Sequence, residues 1–435
     1  MRLRTILLAV SLASGGMLTG AAKSGGGKVT YYRDTLPILQ ERCQGCHRPG
    51  EIAPMSFMSY QETRPWARAI KSAVSTRKMP PWSADPHVGK FSNDWSLNDR
   101  QIETISAWVD GGALEGKSEE GPKPKEFVAG WNIGKPDYSV EMTDAFPVPA
   151  GGTVDYQYIV ISSGLTEDKW IQAAELRPTF RTAVHHVVVF VREKGSPWLK
   201  EAKPGIPYVP PGNQQFANTL GGGSDVLTVY TPGMAPDVWT KGMAKMVPAG
   251  SDFVFQLHYT PNGKAGMDKS KLGLVYASAP PDRRVITMAA IDFQLTIPPG
   301  EANHISKART PNFYDSTLIS FFPHMHVRGK AFEYKVVMPD GETKQLLNVP
   351  RYDFNWQFSY RLEKPIDLPV GAKIECTAVF DNSANNPANP DPKATVKWGE
   401  QTSEEMMIGF YDLAVSKDMN RKKYSAPMQK KTVGD

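Results

Sequence analysis

From about residue 127 onward, apolar and polar residues alternate in short runs broken by turn residues, and that period of two leaves β-sheet as the regular structure able to bury them. The runs at 154–161, 185–191, 253–259, 318–327, 332–337, 374–380 and 406–413 read as strands, with Pro261-Asn262-Gly263 and Pro339-Asp340-Gly341 as turns between them. The pattern predicts an all-β region of two antiparallel, jelly-roll-like sandwiches meeting near residue 290. Residues 28–112 carry the other period. Ser96-Leu97-Asn98-Asp99 has capping-box form ahead of Ile102, Ile105, Trp108 and Val109, and Gly111-Gly112 supplies a stop; Trp66, Ile70 and Val74 recur four apart after Pro65. These cues predict an all-α N-terminal domain.

A polar stretch rich in Gly, Pro, Glu and Lys separates the two regions and has the character of a linker. At the other end, Arg2 and Arg4 precede an apolar run from Ile6 to Val10 and small residues ending Gly20-Ala21-Ala22, the form of a secretory signal. The expected division is a leader over 1–22, an α domain over 28–112, a linker over 113–126, β domains over 127–290 and 291–420, and a basic tail over 421–435. Three folded units suit a chain of 435 residues. The leader implies a periplasmic or secreted protein, and no cysteine follows it to carry a lipid. No later stretch approaches the roughly 18 apolar residues of a membrane span. A formal charge of +5, scattered and without interleaved aromatics, argues against a nucleic-acid partner.

Cysteine use narrows the chemistry. Three residues, Cys43, Cys46 and Cys376, cannot make a disulfide framework for an exported chain of this size. Cys376 alternates like a strand residue, so a buried inert thiol is expected there. Cys43-Gln44-Gly45-Cys46-His47 is the attachment pattern of c-type haem, two thiols for the vinyl groups and an imidazole for the iron. A zinc site would need further Cys or His at matching spacing, and this region offers only His87. Met79, in Lys78-Met79-Pro80-Pro81, is the leading distal ligand, with Met55 and Met58 as alternatives. Residues 33–111 resemble a bacterial mono-haem cytochrome c domain, in which a loop Met followed by Pro is the usual distal ligand.

Five of the six histidines outside the α region fall in ligand-like settings: His185-His186, His258, and His324-Met325-His326. Two residues apart on a strand, His324 and His326 would leave one face together. Adjacent residues on a strand point to opposite faces, so His185 and His186 can share a metal only through a bulge or at a strand end. Imidazoles alone leave copper, zinc, iron or nickel open, whereas a thioether selects copper(I). A blue-copper centre would need a Cys ligand, and Cys376 has no histidine near it in sequence.

His185-His186-Val187-Val188-Val189-Phe190, Gln256-Leu257-His258-Tyr259, His324-Met325-His326 and Gln401-Thr402-Ser403-Glu404-Glu405-Met406 resemble, in the same order, the copper motifs of the ascorbate-dependent type II copper monooxygenases, which include peptidylglycine α-hydroxylating and dopamine β-monooxygenases. The resemblance covers about 150–415. It implies two copper ions: an electron-transfer site of His185, His186 and His258, and an oxygen-binding catalytic site of His324, His326 and Met406, with Met407 as the competing thioether. It also implies dioxygen as co-substrate. Departures matter: no disulfide can staple the sandwiches, and Phe322, Ile408 and Phe410 stand where peptide-amidating members grip a substrate carboxylate. A small apolar or aromatic substrate is therefore expected. Electrons would enter through the covalent haem from a periplasmic donor or small reductant. The alternative function is a haem- and copper-containing electron-transfer or copper-handling protein without oxygenase activity.

Overall fold

The computed structural model describes residues 27–128, 130–211 and 224–419; the expected leader and basic tail lie outside them. Three sheets carry the architecture. Gln157–Ser162, Asp252–Tyr259, Val184–Arg192 and Ser224–Tyr230 lie side by side, all antiparallel, in a four-stranded sheet. His304–Pro311, Lys373–Phe380, Gly329–Val337 and Thr343–Val349 form a second four-stranded sheet in that spatial order. A nine-stranded sheet runs past both, with Met243–Val247, Arg283–Ile291, Ile408–Ser416, Ser316–His324 and Tyr360–Leu368 as successive neighbours at one end. Met243 and Ala244 pair in parallel with Arg283 and Arg284, so this sheet is continuous across residue 290.

Alternation along the Val184–Arg192 strand explains why it is buried on both faces. Val187, Val189 and Val191 enter one apolar cluster with Phe253, Phe255 and Leu257, while Val188 and Phe190 turn to another that holds Met406 and Ile408. The strand is thus packed on both faces, and the even-numbered face carries His186 toward Met406 and Ile408. Met407, one residue from Met406, belongs to a different cluster built around Phe321 and Tyr334.

The expected all-α cytochrome c domain is corrected by the structure. Strand outweighs helix, 36% against 11%, and the N-terminal region holds three principal short helices, Leu36–Arg42, Ala67–Ser75 and Asp99–Asp110. The local cues held in part: the capping box forms between Asn98 and Gln101, two residues later than the Ser96 and Asp99 reading, and Ile105 and Trp108 are fully buried. Between the last two helices, however, the chain leaves the helical cluster. Trp82 and Ala84 enter the β core beside Phe358 and Tyr360, Phe91 bridges to Leu362, and Asn93 donates to the Ser359 carbonyl at 2.7 Å. An aromatic group of this size stabilises by about 1.5–3 kcal/mol when buried, and helices of 7 to 12 residues have too little surface to cover Trp82, Phe91 and Trp95. The β sheets cover them instead. Among the described residues, no helix is long and apolar enough to cross a membrane.

Candidate metal centre

His186 and His258 are direct partners in the antiparallel ladder, so both side chains leave the same face. The register slips between Val184 and His186, and that irregularity brings His185 round to the same point. One ligand nitrogen from each of the three lies within 4.8 Å of the others. In two of the three the second nitrogen is already employed: His185 Nε2 stands 2.9 Å from the Phe354 carbonyl, and His258 Nε2 stands 3.0 Å from Thr402 Oγ1. That leaves the Nδ1 atoms. His185 Nδ1 and His186 Nδ1 face each other at 3.0 Å, and His258 Nδ1 is buried with no hydrogen-bond partner.

His324 ends its strand and His326 lies two residues beyond it, just before the turn at 327–328. Their ring centroids are 5.3 Å apart. Here Nδ1 is the employed atom, 2.7 Å from Gln357 Oε1 in His324 and 3.1 Å from the Glu404 carbonyl in His326. His326 Nε2 is buried without a partner. Met406, two residues before its strand, is 3 % exposed and lines one cavity with His186 and His324. The two histidine sets adjoin: the His186 and His324 rings are 5.6 Å apart, and Tyr156 stands 4.5 Å from His258 and 6.4 Å from His326.

Sequence reasoning missed the residues that hold this arrangement. Glu405 accepts from the His326 and Arg328 backbone N–H groups at 2.9 and 2.6 Å, which ties the His-x-His turn to the segment carrying Met406. Burial pushes its carboxyl up to about 8, against those hydrogen bonds and the Arg328 charge. Gln357 orients His324, and Phe354 stacks on His185 at 4.2 Å. Glu405 stands between Glu404 and Met406, and nothing local marked it or the other two.

Burial lowers all five imidazoles: His185 and His324 to about 4, His326 to about 3, and His186 and His258 well below their ordinary value. They are neutral, as metal ligands must be. In the metal-free chain the folded state then binds fewer protons than the unfolded state below pH 6.5. Stability from this source is complete above about 6.5 and is lost as pH falls toward 4. Glu405 acts in the opposite sense, one group against five. The melting temperature of metal-free protein is expected to drop by at least about 5 °C from pH 7 to 5. A flat profile would show that the imidazoles are not buried neutral.

Orphaned nitrogens and neutral rings fit a transition-metal ion at the His185, His186 and His258 set, and an adjacent thioether fits copper at His324 and His326. At the other end of the chain, Cys43 and Cys46 are free thiols in the turn after Leu36–Arg42, and His47 Nδ1 lies 3.3 Å from the Met55 carbonyl, leaving Nε2 for a metal. Phe57 stacks on His47 at 4.2 Å. Burial of the sulfur atoms pushes the thiols up to about 12 and 11, unlike a redox-active dithiol, and the donor set fits haem attachment. Met79 is half-buried in the loop after Ala67–Ser75, with its backbone N–H on the Ala73 carbonyl. The motif packs on the β region. Gly233 has φ +83°, and a Cβ there would lie 3.3 Å from Cys46 Sγ; Glu51 pairs with Arg48 at 2.8 Å and with Arg181. Cys376 is buried at 1 % exposure, His87 is exposed beside Asp85, and His304 opens an edge strand.

No family model matches the chain, and no curated protein matches it. Among solved structures it is similar to the infectious bursal disease virus VP2 subviral particle, with 10% identity, 66% of this chain and 74% of that one covered and a TM-score of 0.20. It is also similar to the STIV MCP, with 9% identity, 64% and 96% covered and a TM-score of 0.28. Likeness at these scores carries no argument about fold or function.

Proposed function

We propose that this chain is an exported copper-dependent monooxygenase that hydroxylates a C–H bond of a small organic substrate with dioxygen, taking electrons through a haem covalently held at Cys43 and Cys46. The observation that supports it is the convergence of five buried imidazoles, two of which, His186 and His324, line one cavity together with Met406. His185, His186 and His258 would hold one copper through Nδ1; His324 and His326, through Nε2, would hold the other with Met406. Bound copper supplies one-electron chemistry and dioxygen activation. In the net reaction one oxygen atom enters the C–H bond, and the other leaves as water with two electrons and two protons. Gln357, Glu404 and Thr402 fix the imidazole orientations, and Phe322, Ile408 and Phe410 line the cavity and keep water from the reacting carbon.

Metal analysis of the mature protein is expected to give about two coppers and one haem per chain, and reduced protein is expected to consume dioxygen in step with a hydroxylated product. Oxygen-silent protein with both coppers and haem bound would identify an electron-transfer or copper-handling protein. One zinc without oxygen uptake would remove both readings.

A further inference from the structure

Three neighbouring strands of the nine-stranded sheet build the floor of the cavity in rungs. On one shared face, His324 pairs with Ile408, Phe322 with Phe410 and Ser320 with Asp412, while Thr287 of the next strand pairs with Asp412 from the other side. The face therefore passes from metal ligand to aromatic pair to polar rung over four residues, about 13 Å at strand rise. His324, Phe322, Phe410 and Asp412 all line the cavity.

The polar rung is buried and organised. Lys245, 3 % exposed, donates to the Val226 carbonyl at 2.5 Å and to Thr287 Oγ1 at 2.7 Å, while Asp412 stands 3.7 Å from its ammonium, beyond hydrogen-bond distance. Thr287 and Ser320 give their hydroxyl protons to the two Asp412 oxygens, at 2.6 and 3.0 Å. An ammonium has three N–H donors and a carboxylate about four acceptor sites, so Lys245 retains a donor and Asp412 retains acceptors. Asp237, also on the cavity wall, is paired with Arg361 at 3.0 Å. Two opposed charge pairs leave this end neutral. An anionic head group would meet two carboxylates, a cationic one would meet Lys245, and either would lose hydration without net compensation. A hydroxyl can accept from Lys245 and donate to Asp412.

We infer that the cavity selects an amphipathic substrate with an apolar, typically aromatic, body and a neutral hydroxyl at the end remote from the reacting C–H bond, and that Lys245 and Asp412 determine that specificity. This rests on the cavity being the substrate site of the monooxygenase. A site built to hydrogen-bond a hydroxyl discriminates strongly against the analogue lacking it.

The test is equilibrium binding to the full chain loaded with copper, under anaerobic conditions, by calorimetry with four matched probes: 4-ethylphenol, ethylbenzene, 4-ethylbenzoate and 4-ethylbenzylamine. The phenol is expected to bind at least about 10-fold more tightly than each of the others. Lys245→Met is expected to bring the phenol to ethylbenzene ratio close to one, and Asp412→Asn, which keeps an acceptor for Ser320, to reduce it. The probe series on the unaltered protein needs no variant to fold. Tighter or equal binding of the benzoate or the amine, equal binding of ethylbenzene, an unchanged ratio in Lys245→Met, or no binding at all would each overturn the inference. Failure of hydroxylation with the phenol preference intact would instead count against the monooxygenase reading alone.

Discussion

Met406→Ala is expected to lower hydroxylated product to below about 1% of the unaltered protein, beyond the 10–100-fold loss typical of outer-sphere partners, while haem reduction proceeds at its normal rate. Met406 is the thioether proposed to join His324 and His326 at the oxygen site, and a thioether favours the reduced ion that meets dioxygen. Its neighbour cannot replace it, because Met407 points into the separate core around Phe321 and Tyr334. The fold should survive, since Met406 sits at a cavity wall and the truncation enlarges existing space. Product formed at the normal rate by a correctly metallated Met406→Ala protein would remove Met406 from the site.

The second large effect concerns stability. Glu405→Ala leaves the His326 and Arg328 backbone N–H groups buried without an acceptor, at about 1–3 kcal/mol each, or about 2–6 kcal/mol together. Arg328, 1 % exposed, would keep its hydrogen bonds to Asn382 and the Ser403 carbonyl. Denaturant melts should show this loss, and copper binding should weaken as the His-x-His turn loosens. Glu405→Gln retains an acceptor oxygen and is expected to lose less than half as much. Equal melts for alanine and the unaltered residue would show that Glu405 holds nothing in place.

The sequence made visible what depends on neighbours and concealed what depends on distant partners. Two adjacent histidines on a strand require a bulge to meet one metal, and the register slip lies between Val184 and His186. The helix start was legible to within two residues, since the capping box forms at Asn98 and not at Ser96. In contrast, helical cues at both ends of 28–112 suggested a self-contained α domain, because nothing local to Trp82 or Phe91 announces Tyr360 and Leu362 as their neighbours. Gln357 and Phe354 were hidden for the same reason. The 5.6 Å approach of His186 to His324 is a product of how two sheets stack, which motif spacing cannot encode.

The pairing of the Phe91 segment with the strand at Leu362 also orders events during synthesis. Ser92 donates its backbone N–H to the Arg361 carbonyl across 269 residues, and Trp82 is covered only when Tyr360 arrives. Contacts this remote cannot form until most of the chain has emerged, so the N-terminal helices wait with their aromatic loop uncovered. A nascent chain arrested before residue 360 should therefore present Trp82 to chaperones and proteases, and truncation within the β region should destabilise the opposite end of the molecule first.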